Sequence, residues 1–118
     1  MIFGIGTDIV PMDRIRQILT RNPRALPEFV LSSKELELYK SITAEKQPAF
    51  IAKRVAAKES LSKAFGTGIR DFSFWKEYSV LNDANGKPTI VGAMDYRCFL
   101  SYSDIPEYVV ATVILEYI

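Results

Sequence analysis

The 118 residues carry 15 Lys and Arg against 14 Asp and Glu, and this net charge of +1 argues against a general nucleic-acid binder, which is normally far more basic. No histidine is present, which excludes Ser-His-Asp and Cys-His catalysis as well as His-ligated zinc. The only cysteine, Cys98, excludes an internal disulfide and reads as a buried, inert thiol suited to a reducing cytoplasm.

The length fits one domain over residues 1–118, with a single small core that buries roughly two-thirds of the unfolded surface. The first eight residues have no basic region and no long apolar stretch, so no signal peptide is expected. No apolar run approaches the roughly 18 residues that would span a bilayer. Any metal must be held by carboxylates, carbonyls or water, which are the hard oxygen ligands of Mg²⁺, Mn²⁺ or Ca²⁺.

Residues 2–10 alternate small and apolar side chains and read as a strand, which Pro11 breaks. Residues 14–19 form a short amphipathic helix ended by Asn22-Pro23. A brief helix is expected over 25–31. Another starts at Ser32, which can cap free amides with Glu35 three residues on. After a loop around 42–47, residues 48–65 make the strongest helix, with Pro48 at its start and Gly66 as its left-handed stop.

The pattern then turns to strands. Residues 78–83 and 87–91 flank Asn85-Gly86, a hairpin signal, and Pro88 favours an edge or strand-start position. One helical turn is expected over 93–97, then strands over 98–103 and 108–116. The fold class is α+β: helices in the first half packed on a mainly antiparallel sheet.

On the long helix, Ala52, Ala56, Glu59 and Lys63 share one stripe. Glu59 therefore lies at the edge of the inward face, where a carboxylate needs a partner. Two partners are open: Lys63 at i+4, a pair worth only about 0.2–0.5 kcal/mol, or a metal ion. Asp8 poses the same question among Ile5, Ile9 and Val10, either as a turn-capping residue or as a ligand aimed at a neighbouring helix. Together the two describe the kind of site in which Mg²⁺ completes its shell with phosphates and water.

Lys53, Arg54, Lys58 and Lys63 read either as a solvated helix face or as a positive field for a phosphate. Gly66-Thr67-Gly68 follows them, and glycines let backbone amides approach such a group. Arg14, Arg16, Arg21 and Arg24 read either as a solubilising face or as a docking patch for an acidic protein or a phosphate.

Gly4-Ile5-Gly6-Thr7-Asp8-Ile9-Val10 resembles the opening of the holo-[acyl-carrier-protein] synthases, the short 4′-phosphopantetheinyl transferases. Residues 52–68, with Lys58-Glu59 and Lys63 at their centre, match that family's long and specific central pattern. Leu81-Asn82-Asp83 with Gly86-Lys87-Pro88 resembles its third motif, and residues 15–31 fit more loosely.

The resemblance implies transfer of 4′-phosphopantetheine from coenzyme A to a serine of apo acyl carrier protein, in fatty acid biosynthesis in the cytoplasm. It implies Asp8 and Glu59 as ligands of Mg²⁺, with Mn²⁺ as the alternative, and Lys63 as a lysine facing the pyrophosphate. Asp8, Glu59 and Lys63 are thus the expected catalytic residues. Arg54, Lys63, Gly66, Gly68, Asn82, Gly86, Lys87 and Pro88 are the expected coenzyme A contacts, and Arg14, Arg21 and Arg24 the expected carrier-protein contacts. A homotrimer with active sites shared between subunits is implied, and neither nucleic acid nor membrane is an expected partner.

Two departures stand out. Asp104 ends Ser101-Tyr102-Ser103-Asp104 where the family usually has histidine, so a cationic contact to coenzyme A is lost. Residues 88–101 are also shorter than usual by roughly one or two helical turns. These departures leave an alternative of another kind: a catalytically weak module of the same fold that binds carrier protein or nucleotide.

Overall fold

The computed structural model describes residues 1–93 and 95–118. Strand β1 (Ile2–Pro11) runs into helix α1 (Met12–Arg21), followed by α2 (Ala25–Val30) and α3 (Ser33–Ser41). A 3₁₀ turn at Ala44–Lys46 leads into the long helix α4 (Gln47–Phe65). The second half holds the short helix α5 (Phe74–Glu77), the hairpin strands β2 (Ser79–Asn82) and β3 (Pro88–Val91), then β4 (Tyr96–Asp104) and β5 (Tyr108–Tyr117). Strands β1, β5 and β4 form one antiparallel sheet with β5 in the centre, and β2 pairs with β3 separately. The α+β expectation is met, and so is the order of helices before strands, apart from β1.

Several local signals act as read. Ser32 and Glu35 form a reciprocal capping box: the Ser32 hydroxyl accepts from the Glu35 amide, and the Glu35 carboxylate accepts from the Ser32 amide. Gly66 ends α4 at φ 84°, the left-handed conformation that a glycine adopts without steric cost. Pro88 opens its strand opposite Asn82. Cys98 is half-buried, and burial pushes its thiol up to about 11, which keeps it protonated and inert at neutral pH.

Three expectations are corrected. Pro11 does not lie beyond the first strand; it is the last rung of the ladder, opposite Tyr108, and stands at the position just before α1. Residues Tyr96 and Arg97 are not helical but open β4, paired with Tyr117 and Glu116 on β5. Ala93 is in no regular element, and Met94, also within that expected turn, lies outside the described residues. The reason is tertiary: the ten-residue β5 presents a free edge along its whole length, and pairing with it outweighs weak local preference. Finally, Lys58 is not on a solvated face. Its side chain is fully buried, and Arg54 nearly so, because α4 is enclosed on almost every side.

That enclosure follows from small residues. Ala52, Ala56, Ala57, Ser60 and Ala64 are buried along α4, and the inner face of the sheet contributes Val109, Ala111, Val113 and Leu115. The contact with β1 is closest. A Cβ built on Gly4 would lie 1.9 Å from the Ala64 carbonyl oxygen, and one on Gly6 would lie 1.8 Å from that of Ser60. Backbone therefore meets backbone with no room for a methyl group between strand and helix.

Gly6→Ala is expected to destabilise the protein by about 3 kcal/mol or more, since overpacking here cannot be relieved by a rotamer change. A denaturant titration giving a loss below about 1 kcal/mol would contradict this close packing.

Candidate active site

Side-chain alternation along β1 puts Gly4, Gly6, Asp8 and Val10 on the face turned toward α4, and the ladder sets Asp8 opposite Ala111. The glycines bring that face against α4, so Asp8 arrives beside the turn carrying Glu59 and Lys63. The Lys63 ammonium donates to the Thr7 carbonyl at 2.9 Å and to Asp8 Oδ1 at 3.3 Å. Lys63 thus reaches across to the strand, and no ion pair with its helical neighbour Glu59 is formed among the described residues. Ser60 anchors the same junction by donating to the Ala111 carbonyl.

Asp8, Glu59 and Lys63 converge on one cleft of about 470 Å³. Arg14 enters it from α1, while Phe29 on α2 and Trp75 on α5 supply apolar wall. Burial raises the Glu59 carboxyl above its ordinary range, the negative charge of Asp8 raises it further, and Lys63 opposes both. Two carboxylates lining one cleft, close enough for one charge to act on the other, call for a cation. Lys63 supplies one, in direct contact with Asp8. The donor set therefore fits a hard divalent ion that takes two protein oxygens and completes its shell from substrate and water. No cluster of three or more carboxylate, cysteine or histidine side chains capable of holding an ion occurs among the described residues.

The other expected contacts lie elsewhere on the chain. Arg54 and Asn82 line a second cleft of about 770 Å³, with Phe50, Lys53 and Tyr102. The Arg54 guanidinium lies 3.6 Å from the centre of the Phe50 ring and donates to the Val80 carbonyl at 3.1 Å. Its Nε is buried without a hydrogen-bond partner among the described residues. Burial lowers its pKa, against the favourable charges of Tyr102 and Glu35. Gly66 and Gly68 follow the C-terminus of α4, both at positive φ with open space where a Cβ would stand. Gly86 and Lys87 lie in the β2–β3 turn, organised by Asp83, whose carboxylate accepts from the Asn85 and Lys87 amides. Asp104 is not an isolated charge, since Lys53 Nζ stands 4.0 Å from its carboxylate.

Of the three arginines expected to contact the carrier, only Arg14 lines the cleft of Asp8 and Glu59. Arg21 is exposed at the end of α1, and Arg24 is exposed and paired with Glu28 at 3.0 Å.

Comparison with known proteins settles the family. A sequence profile described as the 4′-phosphopantetheinyl transferase superfamily matches residues 4–113. A holo-[acyl-carrier-protein] synthase from Exiguobacterium sibiricum is 40% identical over 116 residues, covering 98% of this chain and 90% of that protein. The chain belongs to the holo-[acyl-carrier-protein] synthases of the 4′-phosphopantetheinyl transferase superfamily. A relative in Aliivibrio fischeri with the same name is 40% identical over 125 residues, with 98% of each chain covered. A crystal structure of a Bacillus anthracis holo-(acyl-carrier-protein) synthase in complex with CoA (3′,5′-ADP) superposes with a TM-score of 0.91 at 36% identity, over 100% of this chain and 99% of that one. The Neisseria meningitidis synthase gives a TM-score of 0.89 at 36% identity, over 98% and 99%.

Sequence reasoning missed the walls of this cleft. Phe29, Val30, Val55 and Trp75 come from three helices, and no spacing in the chain links them. The one available signal was Trp75, the only tryptophan.

Glu59→Gln tests the electrostatics. A carboxyl raised in the folded state contributes stability that is complete below the ordinary value of 4.5 and is lost as pH rises through the folded value. In chelator at pH 7 the glutamine variant is therefore expected to melt above the wild type. The difference should vanish as the pH approaches 4.5; thermal melts from pH 4 to 8 measure it, and equal melting temperatures throughout would contradict the assignment.

Proposed function

We propose that this chain transfers 4′-phosphopantetheine from coenzyme A to a serine hydroxyl of apo acyl carrier protein, releasing adenosine 3′,5′-bisphosphate. The observation that carries the reading is the convergence of Asp8, Glu59 and Lys63 on one cleft, in a chain that belongs to the synthase family. Residues 1–118 act as one transferase domain.

In this reading Asp8 and Glu59 hold Mg²⁺, or Mn²⁺ in its place. The ion, when bound, neutralises charge on the pyrophosphate and favours departure of the nucleotide. Lys63, whose ammonium is half exposed at the cleft, adds positive charge where a phosphate oxygen would lie. Glu59, whose carboxylate lines the same cleft, is the group placed to accept the serine proton. The serine oxygen forms the new bond to phosphorus, the pyrophosphate P–O bond breaks, and its electrons leave with the bisphosphate. The apolar walls at Phe29 and Trp75 limit water at the reacting phosphorus.

The expected coenzyme A contacts are spread over one chain, with Lys63 in one cleft, Arg54 and Asn82 in the other, and Gly66, Gly68, Gly86, Lys87 and Pro88 in neither, and a site shared between neighbouring subunits accounts for that spread. The outer face of the sheet supplies a surface for it: Ile5, Ile114 and Phe99 stand in one row across three strands, with Ile5 64% and Phe99 48% exposed. A homotrimer built on this face is part of the proposal. The arginines Arg14, Arg21 and Arg24 face the acidic carrier, and the place of action is the cytoplasm. No helix among the described residues is long and apolar enough to cross a membrane.

Two experiments test the reading. Apo carrier protein incubated with the chain, coenzyme A and Mg²⁺ should gain the mass of one phosphopantetheine, and Asp8→Ala should reduce the rate by at least about 10²-fold without unfolding. No mass gain with any divalent metal would leave the weak binding module as the answer. Mg²⁺ should also raise the melting temperature of the wild type but not of Asp8→Ala.

In sedimentation, the wild type should run as a trimer and Ile5→Glu as a monomer with little transfer. A monomeric, fully active wild type would contradict the shared site.

A further inference from the structure

The second helix, α2, has only six residues, and a helix of that length is unstable without tertiary support. Its C-terminal carbonyls have no partners within the helix. They are met instead by two lysines from other elements. Lys58 on α4 donates to the Val30 carbonyl at 2.8 Å. Lys76 on α5 donates to the Leu31 carbonyl at 2.7 Å and to the Glu28 carbonyl. Two ammonium groups at the negative end of a helix dipole are favourably placed.

The buried lysine does more. Lys58 also donates to the Trp75 carbonyl at 2.7 Å and pairs with Glu35 at 2.5 Å. The other oxygen of Glu35 accepts from the Val80 amide at 2.8 Å. One fully buried ion pair therefore joins α2, α3, α4, α5 and β2. Lys76 lies outside that pair, on the far side of the same helix end, and its own ammonium bridges α5 to α2.

What these lysines hold in place is the wall of the catalytic cleft. Leu26, Phe29 and Val30 on α2 and Trp75 on α5 line it opposite Asp8 and Glu59. Neither lysine lines that cleft. The wall beside Arg14, on the side where the carrier protein would dock, is thus set by side chains that do not touch the reacting atoms.

We propose that Lys76, acting with the buried Lys58, is a positioning residue for carrier-protein recognition: it holds the C-terminal end of α2 against α5 and so keeps the apolar wall in register with the catalytic carboxylates. This rests on the transferase reading above. An apolar side chain of equal length at position 76 removes the ammonium from both carbonyls and leaves the part-buried one of Leu31 without its donor. The helix end then loosens, and the carrier loses a preformed surface. Coenzyme A, whose proposed contacts lie on Lys63 and beyond α2, is unaffected.

The test uses the full chain with Lys76→Met and Lys76→Arg, measuring initial rates against apo carrier protein and, separately, against coenzyme A. For Lys76→Met, the KM for carrier should rise by about tenfold, the size of one charge-assisted hydrogen bond, with kcat and the KM for coenzyme A unchanged. Lys76→Arg should restore the carrier KM. Amide exchange over residues 25–31 should quicken in Lys76→Met and not in Lys76→Arg, while exchange in α4 stays the same.

An unchanged carrier KM in Lys76→Met overturns the proposal. So does an equal fall of kcat at unchanged KM, or a loss that arginine does not rescue. If the wild type itself transfers nothing, the transferase reading fails. Exchange over residues 25–31 then decides separately whether Lys76 holds α2: faster exchange supports that role and unchanged exchange overturns it.

Discussion

The approach of β1 to α4 is the constraint on which the rest depends. Gly4 and Gly6 remove the side chains that would separate strand from helix, and backbone oxygen atoms of Ser60 and Ala64 occupy the space. The next inward-facing residue is Asp8, which therefore reaches the helix two turns from its C-terminus, beside Glu59 and Lys63. A strand one methyl group farther away would still pair with β5. It would no longer deliver a carboxylate within reach of Lys63, and the cleft would lose the charge that raises Glu59. The same two glycines thus serve packing and chemistry.

A second interaction ties α2, α3, α5 and β2 to the long helix α4. The Glu35–Lys58 pair is fully buried, and such a pair carries a desolvation cost that attraction alone does not always offset. Here every contact is used. The carboxylate takes two backbone amides as well as the ammonium, and the ammonium takes two backbone carbonyls as well as the carboxylate. These carbonyls and amides belong to helix ends and strand starts that would otherwise be unsatisfied in the interior. The charges work less as a source of stability than as a joint that permits only one arrangement of α2, α3 and α5 about α4.

Arg54 shows the opposite case. It was read as a member of a phosphate-facing group, yet it is buried, stacked on Phe50 and bonded to Val80. Its Nε has no hydrogen-bond partner among the described residues, with Glu35 Oε2 3.8 Å away, and its side chain lines a cleft away from Asp8. A cation in that position is compatible with an anionic ligand entering from the second cleft. The cationic residues of α4 thus serve three different places: Lys58 the interior, Arg54 the second cleft, Lys63 the carboxylate of Asp8.

Much was legible in the chain by itself. The capping box at Ser32, the glycine stop at Gly66, the long helix and the hairpin depend on backbone requirements of a few adjacent residues, and so local sequence determined them. The pair Asp8 and Glu59 was singled out because carboxylates in apolar patterns need a reason, and the family motifs named one. Tertiary structure decided what depends on distant partners. It placed Lys63 on Asp8 instead of Glu59, turned Tyr96 and Arg97 into strand along the free edge of β5, and buried Lys58 completely. The physical reason is common to all three: a charge or a backbone group settles where its partner is, and those partners lie 17 to 55 residues away along the chain.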